Sequence, residues 1–203
     1  MCPMRSVRYV YVVAVLASLC VVSGALAADV YVTDPAHTQV GFTVRHFVIT
    51  KVRGKFKDFA GTIMYDENDP TKSSVQGTIK TASIDTDHQK RDAHLRSPEF
   101  FDVENYPEIT FVSKRIEKHQ DGFMLIGNLT IRAVTKEVAI PFTITGKVVD
   151  PSGKTRLGFE GSLRINRQEY GVSYNKTMDN GGLIVSDTVD IELVGEAVKQ
   201  GQS

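Results

Sequence analysis

The sequence contains no tryptophan and two cysteines in 203 residues. Both cysteines, Cys2 and Cys20, stand in the first twenty positions. The body of the chain therefore has no disulfide, no thiolate metal site and no cysteine nucleophile. A long apolar run is missing too. Tyr9 to Val22 falls short of the ~18 residues that a membrane-spanning helix needs. Neither sign of charge dominates, with 24 basic and 24 acidic residues. The overall balance gives no drive toward nucleic acid or an anionic membrane.

Catalytic and cofactor motifs are also lacking. Gly171-Val172-Ser173-Tyr174-Asn175 lacks the second glycine of a nucleophile elbow. Gly153-Lys154-Thr155 ends like a phosphate loop, but its upstream glycine, Gly146, has the wrong spacing. It reads as a hairpin tip. His37, His46, His88, His94 and His119 form no pair with helical metal-ligand spacing. Asp66-Glu67-Asn68-Asp69-Pro70 is acidic but lacks the regular ligand spacing of a calcium loop. The sequence implies no cofactor and no metal.

What is present begins with a secretory signal. Arg5 and Arg8 precede the apolar run, and Ala25-Leu26-Ala27 is a small-x-small site. Cleavage is expected after Ala27, leaving residues 28–203 as one domain with a slight acidic excess. Leu19 before Cys20 does not suit a lipoprotein site, so no stable membrane anchor is expected.

Most of the remaining chain alternates apolar and polar residues. Val40, Phe42 and Val44 form one such row; Phe59, Gly61 and Ile63 another; Val75, Gly77 and Ile79 a third. The pattern returns at Ile109 and Phe111, from Phe123 to Ile131, from Val138 to Ile144, from Leu157 to Ile165, and from Leu183 to Leu193. Period two predicts strands with one buried face. Turns are expected at Asp66–Pro70, Asp121-Gly122, Ala133–Thr135 and Asp150–Gly153. About eight antiparallel strands result. Phe56 and Phe59 have opposite parity, which predicts a bulge between them. Asp187 breaks the last row, which predicts burial with a basic partner or a strand shift. Met124 and Ile126 make a second face partly apolar, and a homodimer is one partner that such a face admits. Asn166 to Gly182 reads as a long loop with a short strand or a turn of helix near Tyr170.

One stretch departs from alternation. From Thr86 to Ser97 charge takes over, and the segment is predicted as the one helix, over residues 86–97. Thr86 or Asp87 is the expected cap. Asp87 with Arg91, and Asp92 with Arg96, have the spacing of helical ion pairs. Pro98 ends the helix at Ser97, and Leu95, Phe100 and Phe101 supply an apolar lid. The helix has two readings. It closes one end of the sheet, or it also presents Arg91, His94 and Arg96 to the polar head of a ligand.

The run T-x-S-I-D-T-x-x-x-x-R-D-x-H-L-R-S-x-x-F at 81–100, followed by Tyr106-Pro107, resembles the hallmark of the YceI-like family. Phe56–Gly61, Gly127–Lys136, Gly158–Glu160 and Asp187–Ile191 match as well, so the likeness covers nearly the whole chain after the signal. The residues alone admit a sandwich or a barrel. The resemblance implies an all-β, lipocalin-like antiparallel barrel of about eight strands with a tunnel, in a periplasmic protein that holds a polyisoprenoid or similar long lipid.

On that reading the tunnel lining is Phe42, Val44, Ile63, Ile79, Phe111, Leu125, Leu129, Ile140, Phe142, Phe159, Leu163 and Val185. The same set would form any β core. Glycines among the rows (Gly41, Gly61, Gly77, Gly127 and Gly161) fit either a hollow interior or bends at barrel corners. The expected partner is a long-chain isoprenoid or other lipophilic small molecule, bound without catalysis. Two rivals stay open: an interaction module using the Met124/Ile126 face, and an enzyme on a lipophilic substrate using His94 with Asp92 or Asp85.

Overall fold

The computed structural model describes residues 28–47, 49–120, 122–175 and 184–201. The expected signal segment and Leu183 lie outside the described residues, as does Asp121.

Among the described residues eleven strand segments form one sheet in which every pairing is antiparallel. They are β1 (Asp29–Thr33), β2 (Gln39–His46), β3 (Thr50–Phe56), β4 (Phe59–Tyr65), β5 (Ser74–Lys80), β6 (Ile84–Asp85), β7 (Glu108–His119), β8 (Gly122–Ile131), β9 (Val134–Val149), β10 (Thr155–Asn166) and β11 (Val185–Lys199). The pairings reduce them to eight long strands. β1 and β2 both lie antiparallel to β11 and form one bent strand. β3 and β4 return along β2 and β1. β5 and β6 return again along β4 and β3. Then β7 to β11 follow as a meander, and β1 pairs with β11 to close an eight-stranded barrel.

The bends that permit closure have local causes. Between β3 and β4 lies the parity change expected at Phe56 and Phe59, with Lys57-Asp58 between the strands. Between β5 and β6 is a 3-10 turn, Thr81–Ser83. Between β1 and β2 the chain leaves the ladder, and the Thr38 hydroxyl substitutes for it. It donates to the Glu196 carbonyl at 3.0 Å and accepts from the Glu196 N–H at 3.2 Å.

The connections at one end, called lower here, are 66–73, that between β7 and β8, and 150–154. Asp150 organises the last by accepting from the Ser152 and Lys154 amides. Beneath the interior at this end Tyr31, Leu157 and Ala197 are fully buried. At the upper end the turn between β8 and β9 sits at Arg132-Ala133, both at positive φ, one residue earlier than the sequence suggested.

The helix crosses the upper end as α1 (Gln89–Arg96), shorter than expected. Its cap is neither Thr86 nor Asp87. The His88 ring accepts from the Arg91 amide. Asp92, buried, reaches back to accept from the Thr86 amide at 2.9 Å, and this shortens the helix. Ser97 is extended, as the following proline requires. Ile126, assigned from the sequence to a partly apolar outer face, is itself buried within this chain, in register with Arg115 and Ala139.

Candidate ligand cavity

The inward rows do not meet at the barrel axis. They enclose a cavity of about 250 Å³. The cavity runs from Phe100, Phe101 and Val172 at the upper end to Ile63, Phe142 and Phe159 lower down. All twelve apolar positions assigned from the sequence, from Phe42 on β2 to Val185 on β11, lie on this wall.

Side-chain size explains why the interior is hollow here. Gly61 on β4 stands directly opposite Gly77 on β5, and Gly77 opposite Phe111 on β7. Two facing glycines remove side-chain volume from the middle of two adjacent strands. Both line the cavity. Gly54 and Gly127 serve differently. A Cβ at Gly54 would lie 2.4 Å from the Phe42 ring, and one at Gly127 would lie 2.6 Å from the Phe111 ring. Those glycines let neighbouring rings lie flat on the wall.

The upper end is closed by residues from three segments. Leu95 comes from α1, Phe100 and Phe101 from the chain after it, and Tyr170 and Val172 from the link between β10 and β11. Phe101 packs edge-on against Phe56, which packs on Phe42. Phe100 meets Tyr174 at 4.7 Å between ring centroids, and the His94 ring stands edge-on to both. Arg132 ties this lid together by donating to the carbonyls of Phe100 and Gly171, each at 2.7 Å.

Among the described residues Arg167 is the one charged side chain on the wall, and it is 5% exposed. Every N–H of its guanidinium is used. Nε donates to Ser186 O, Nη1 to Val172 O and Tyr174 O, and Nη2 to Val185 O and Asp187 Oδ1. Burial pushes its pKa down, with Asp187 opposing, yet a guanidinium stays charged at neutral pH. The register of β11 on β2 shifts between Val185 and Val189, which turns those carbonyls toward Arg167. Asp187 thus gains a basic partner and marks a strand shift, but it is the arginine and not the aspartate that is buried.

The basic residues of α1 are placed elsewhere. Arg91, His94 and Arg96 are absent from the cavity wall. Arg91 donates to the hydroxyl and carbonyl of Thr86, and Arg96 to the carbonyls of Ala82 and Ile84, each at 2.7 Å. Among the described residues neither expected ion pair, Asp87 with Arg91 or Asp92 with Arg96, is formed. The two guanidiniums instead satisfy carbonyls of the irregular strand end before the helix. His94 pairs with Glu99, Asp92 with Thr86 and Asp85 with Lys57, so His94 meets neither carboxylate of the enzymatic reading. Asp34, His37 and Glu196 come close enough together to hold a cation, but Arg156 already donates to Asp34 at 2.7 Å and to Glu196 at 3.0 Å.

The sequence reading left several wall residues unassigned. Val40, Ile109, Ile131, Ile165 and Leu193 line the cavity and sit in the same period-two rows, so that signal could have found them. Arg167, Tyr170 and Val172 sit in a stretch with no period.

The model of the YceI-like domain matches residues 31–197. The chain belongs to the YceI-like family. A Protein YceI from Salmonella newport is 37% identical over 91% of this chain and 95% of its own. A UPF0312 protein from Serratia proteamaculans is 40% identical over 73% of this chain and 78% of its own. Among solved YceI-like folds, Burkholderia cenocepacia BcnA superposes with a TM-score of 0.72 at 26% identity, covering 81% of this chain and 98% of that one. The Campylobacter jejuni YCEI protein gives 0.67 at 32% identity, covering 82% and 96%. A polyisoprenoid binding domain from Saccharophagus degradans shares the fold, with a TM-score of 0.59 at 13% identity, covering 85% and 99%.

Proposed function

We propose that this barrel binds a long-chain isoprenoid or similar amphiphile and sequesters or ferries it through the periplasm without catalysis. The observation that carries the reading is the almost wholly apolar cavity between the lid and the lower core. An isoprenoid tail in water is penalised by about 0.8 kcal/mol per exposed CH₂, and a wall of Phe, Ile, Leu and Val removes that penalty. The one wall charge, on Arg167, has all its donors engaged within the protein. The wall therefore selects for hydrocarbon, and the polar end of the ligand belongs at or beyond the lid. The shared fold of a polyisoprenoid binding domain is consistent with this use. The N-terminal signal expected from the sequence supports a periplasmic setting, and no helix among the described residues is long and apolar enough to cross a membrane.

The twelve apolar wall positions are the proposed ligand contacts. No residue is assigned a catalytic role. Organic extraction of protein purified from its native host, followed by mass spectrometry, tests the reading. A stoichiometric lipophile is expected. Its absence, together with failure to take up added prenyl chains, would remove the proposal.

A further inference from the structure

The chain's charge is balanced overall but not evenly distributed. From Gln39 to Lys57 there is no acidic residue. This stretch is the β2–β3 hairpin at the upper end. Its exposed side chains include Arg45, Lys51, Arg53 and Lys55. Arg45 stands directly opposite Lys51 across the pair, an arrangement of like charges that costs stability in a sheet. Among the described residues Arg45, Lys51 and Arg53 form no ion pair. Lys55 faces Asp85, whose carboxylate is taken by Lys57.

The tip of the same hairpin is apolar. Phe47 is 39% exposed and Ile49 is 80% exposed. Phe47 also holds φ at 51°, a left-handed conformation that is a genuine outlier for a bulky side chain. Glycine or asparagine would relieve it, so the turn accepts strain while displaying a ring. On the inner face of the hairpin Val44 lies on the cavity wall, in register with Val189 on β11.

We propose that the β2–β3 hairpin docks this protein on an anionic phospholipid surface. Phe47 and Ile49 enter the boundary between headgroups and acyl chains, while Arg45, Lys51 and Arg53 meet lipid phosphates. Both halves match what an interfacial element needs: a small apolar wedge and cations framing it. Bulk charge gives no such attraction; a local patch does, because it acts within a Debye length of the surface. Docking here brings the upper end of the cavity to the bilayer. The inference goes beyond the ligand-binding reading, since vesicle binding is measured whatever the cavity holds.

Sedimentation with vesicles tests it. The purified protein is expected to pellet with a phosphatidylcholine–phosphatidylglycerol mixture, weakly with phosphatidylcholine alone, and less as salt is raised. Replacing Arg45, Lys51 and Arg53 by glutamine should weaken binding by about fivefold per residue. Phe47→Ser with Ile49→Ser should weaken it by about tenfold or more. These side chains are exposed, so circular dichroism should report an unchanged fold. Val148→Ser with Val149→Ser, on exposed residues near the opposite end, should bind as the unaltered protein does. No pelleting with anionic vesicles, equal pelleting with both compositions, or an equal loss from the Val148/Val149 variant would each overturn the proposal.

Discussion

Arg167 Nη2 lies 3.3 Å from Asp187 Oδ1, and this contact joins the link after β10 to the start of β11. Asp187 also accepts from Gln168 Nε2 at 2.9 Å and Asn175 Nδ2 at 3.2 Å. The remaining Arg167 donors hold four carbonyls, two on each side of the junction. The upper end of the barrel is thus closed by a clasp centred on one buried cation.

Removing that cation leaves buried acceptors without donors. Arg167→Ala should lower unfolding free energy by about 3–5 kcal/mol, read as a shift of the urea midpoint. Arg167→Lys should recover only a minor part, because an ammonium offers three donors from one point rather than a planar fork. A loss under about 1 kcal/mol would mean that water replaces the guanidinium at little cost. If Val172 and Tyr170 seal the cavity as their positions indicate, both variants should also release bound lipophile faster.

The Gly61–Gly77 pair yields a second prediction, about volume. A Cβ at Gly77 would meet only the Ala60 carbonyl, at 3.6 Å, an ordinary contact. Gly77→Leu should therefore fold, with stability unchanged or raised by about 0.5–1 kcal/mol, since glycine weakens a strand interior. Its side chain would occupy the cavity, and uptake of an added prenyl chain or an apolar fluorescent dye should fall several-fold. Gly127→Leu is the contrast. Its Cβ would lie 2.5 Å from the Val112 carbonyl, so thermal stability should drop. Full uptake by a folded Gly77→Leu protein would place the ligand elsewhere.

Periodicity made the barrel legible, and irregular hydrogen bonding hid the rest. A row such as Val75, Gly77 and Ile79 announces a strand because side chains alternate faces, whereas the facing of Gly61 and Gly77 is a matter of register set by the connection between β4 and β5. The lid was partly legible too, in Leu95, Phe100 and Phe101. The clasp was not. Arg167 bonds mainly to carbonyls, and backbone acceptors carry no sequence signature. The same holds for Arg91 and Arg96, whose i,i+4 spacing from acids suggested ion pairs. Those guanidiniums satisfy carbonyls of residues 82, 84 and 86 instead. The turn after β8 was read one residue late because positive φ there falls on Arg132 and Ala133, types that seldom mark such a turn.

The lower end gives a prediction in pH. The Asp34 carboxylate accepts from Arg156 Nη1 at 2.7 Å, from the His37 ring at 2.8 Å and from the Ala36 amide at 3.0 Å. The Arg156 hydrogen bond first, and then that of His37, holds its carboxyl down at about 2, against an ordinary 3.8. Asp150, bonded to Ser152 and Arg156, is lowered as well. A carboxylate whose folded pKa is depressed stabilises the fold above its unfolded pKa, and that contribution disappears as pH falls through the folded value. For Asp34 the window runs from about pH 4 down to about pH 2. The shift alone would correspond to about 2.4 kcal/mol; solvent screening at this half-open site reduces it to about 1 kcal/mol. Urea titrations of the unaltered protein and of Asp34→Asn should therefore differ by about that amount at pH 7. The difference should hold to about pH 4 and shrink below it, as the unaltered protein loses the ion pair that the variant never had. A difference that stays constant to pH 2 would show that Asp34 acts through neutral hydrogen bonds rather than through its charge.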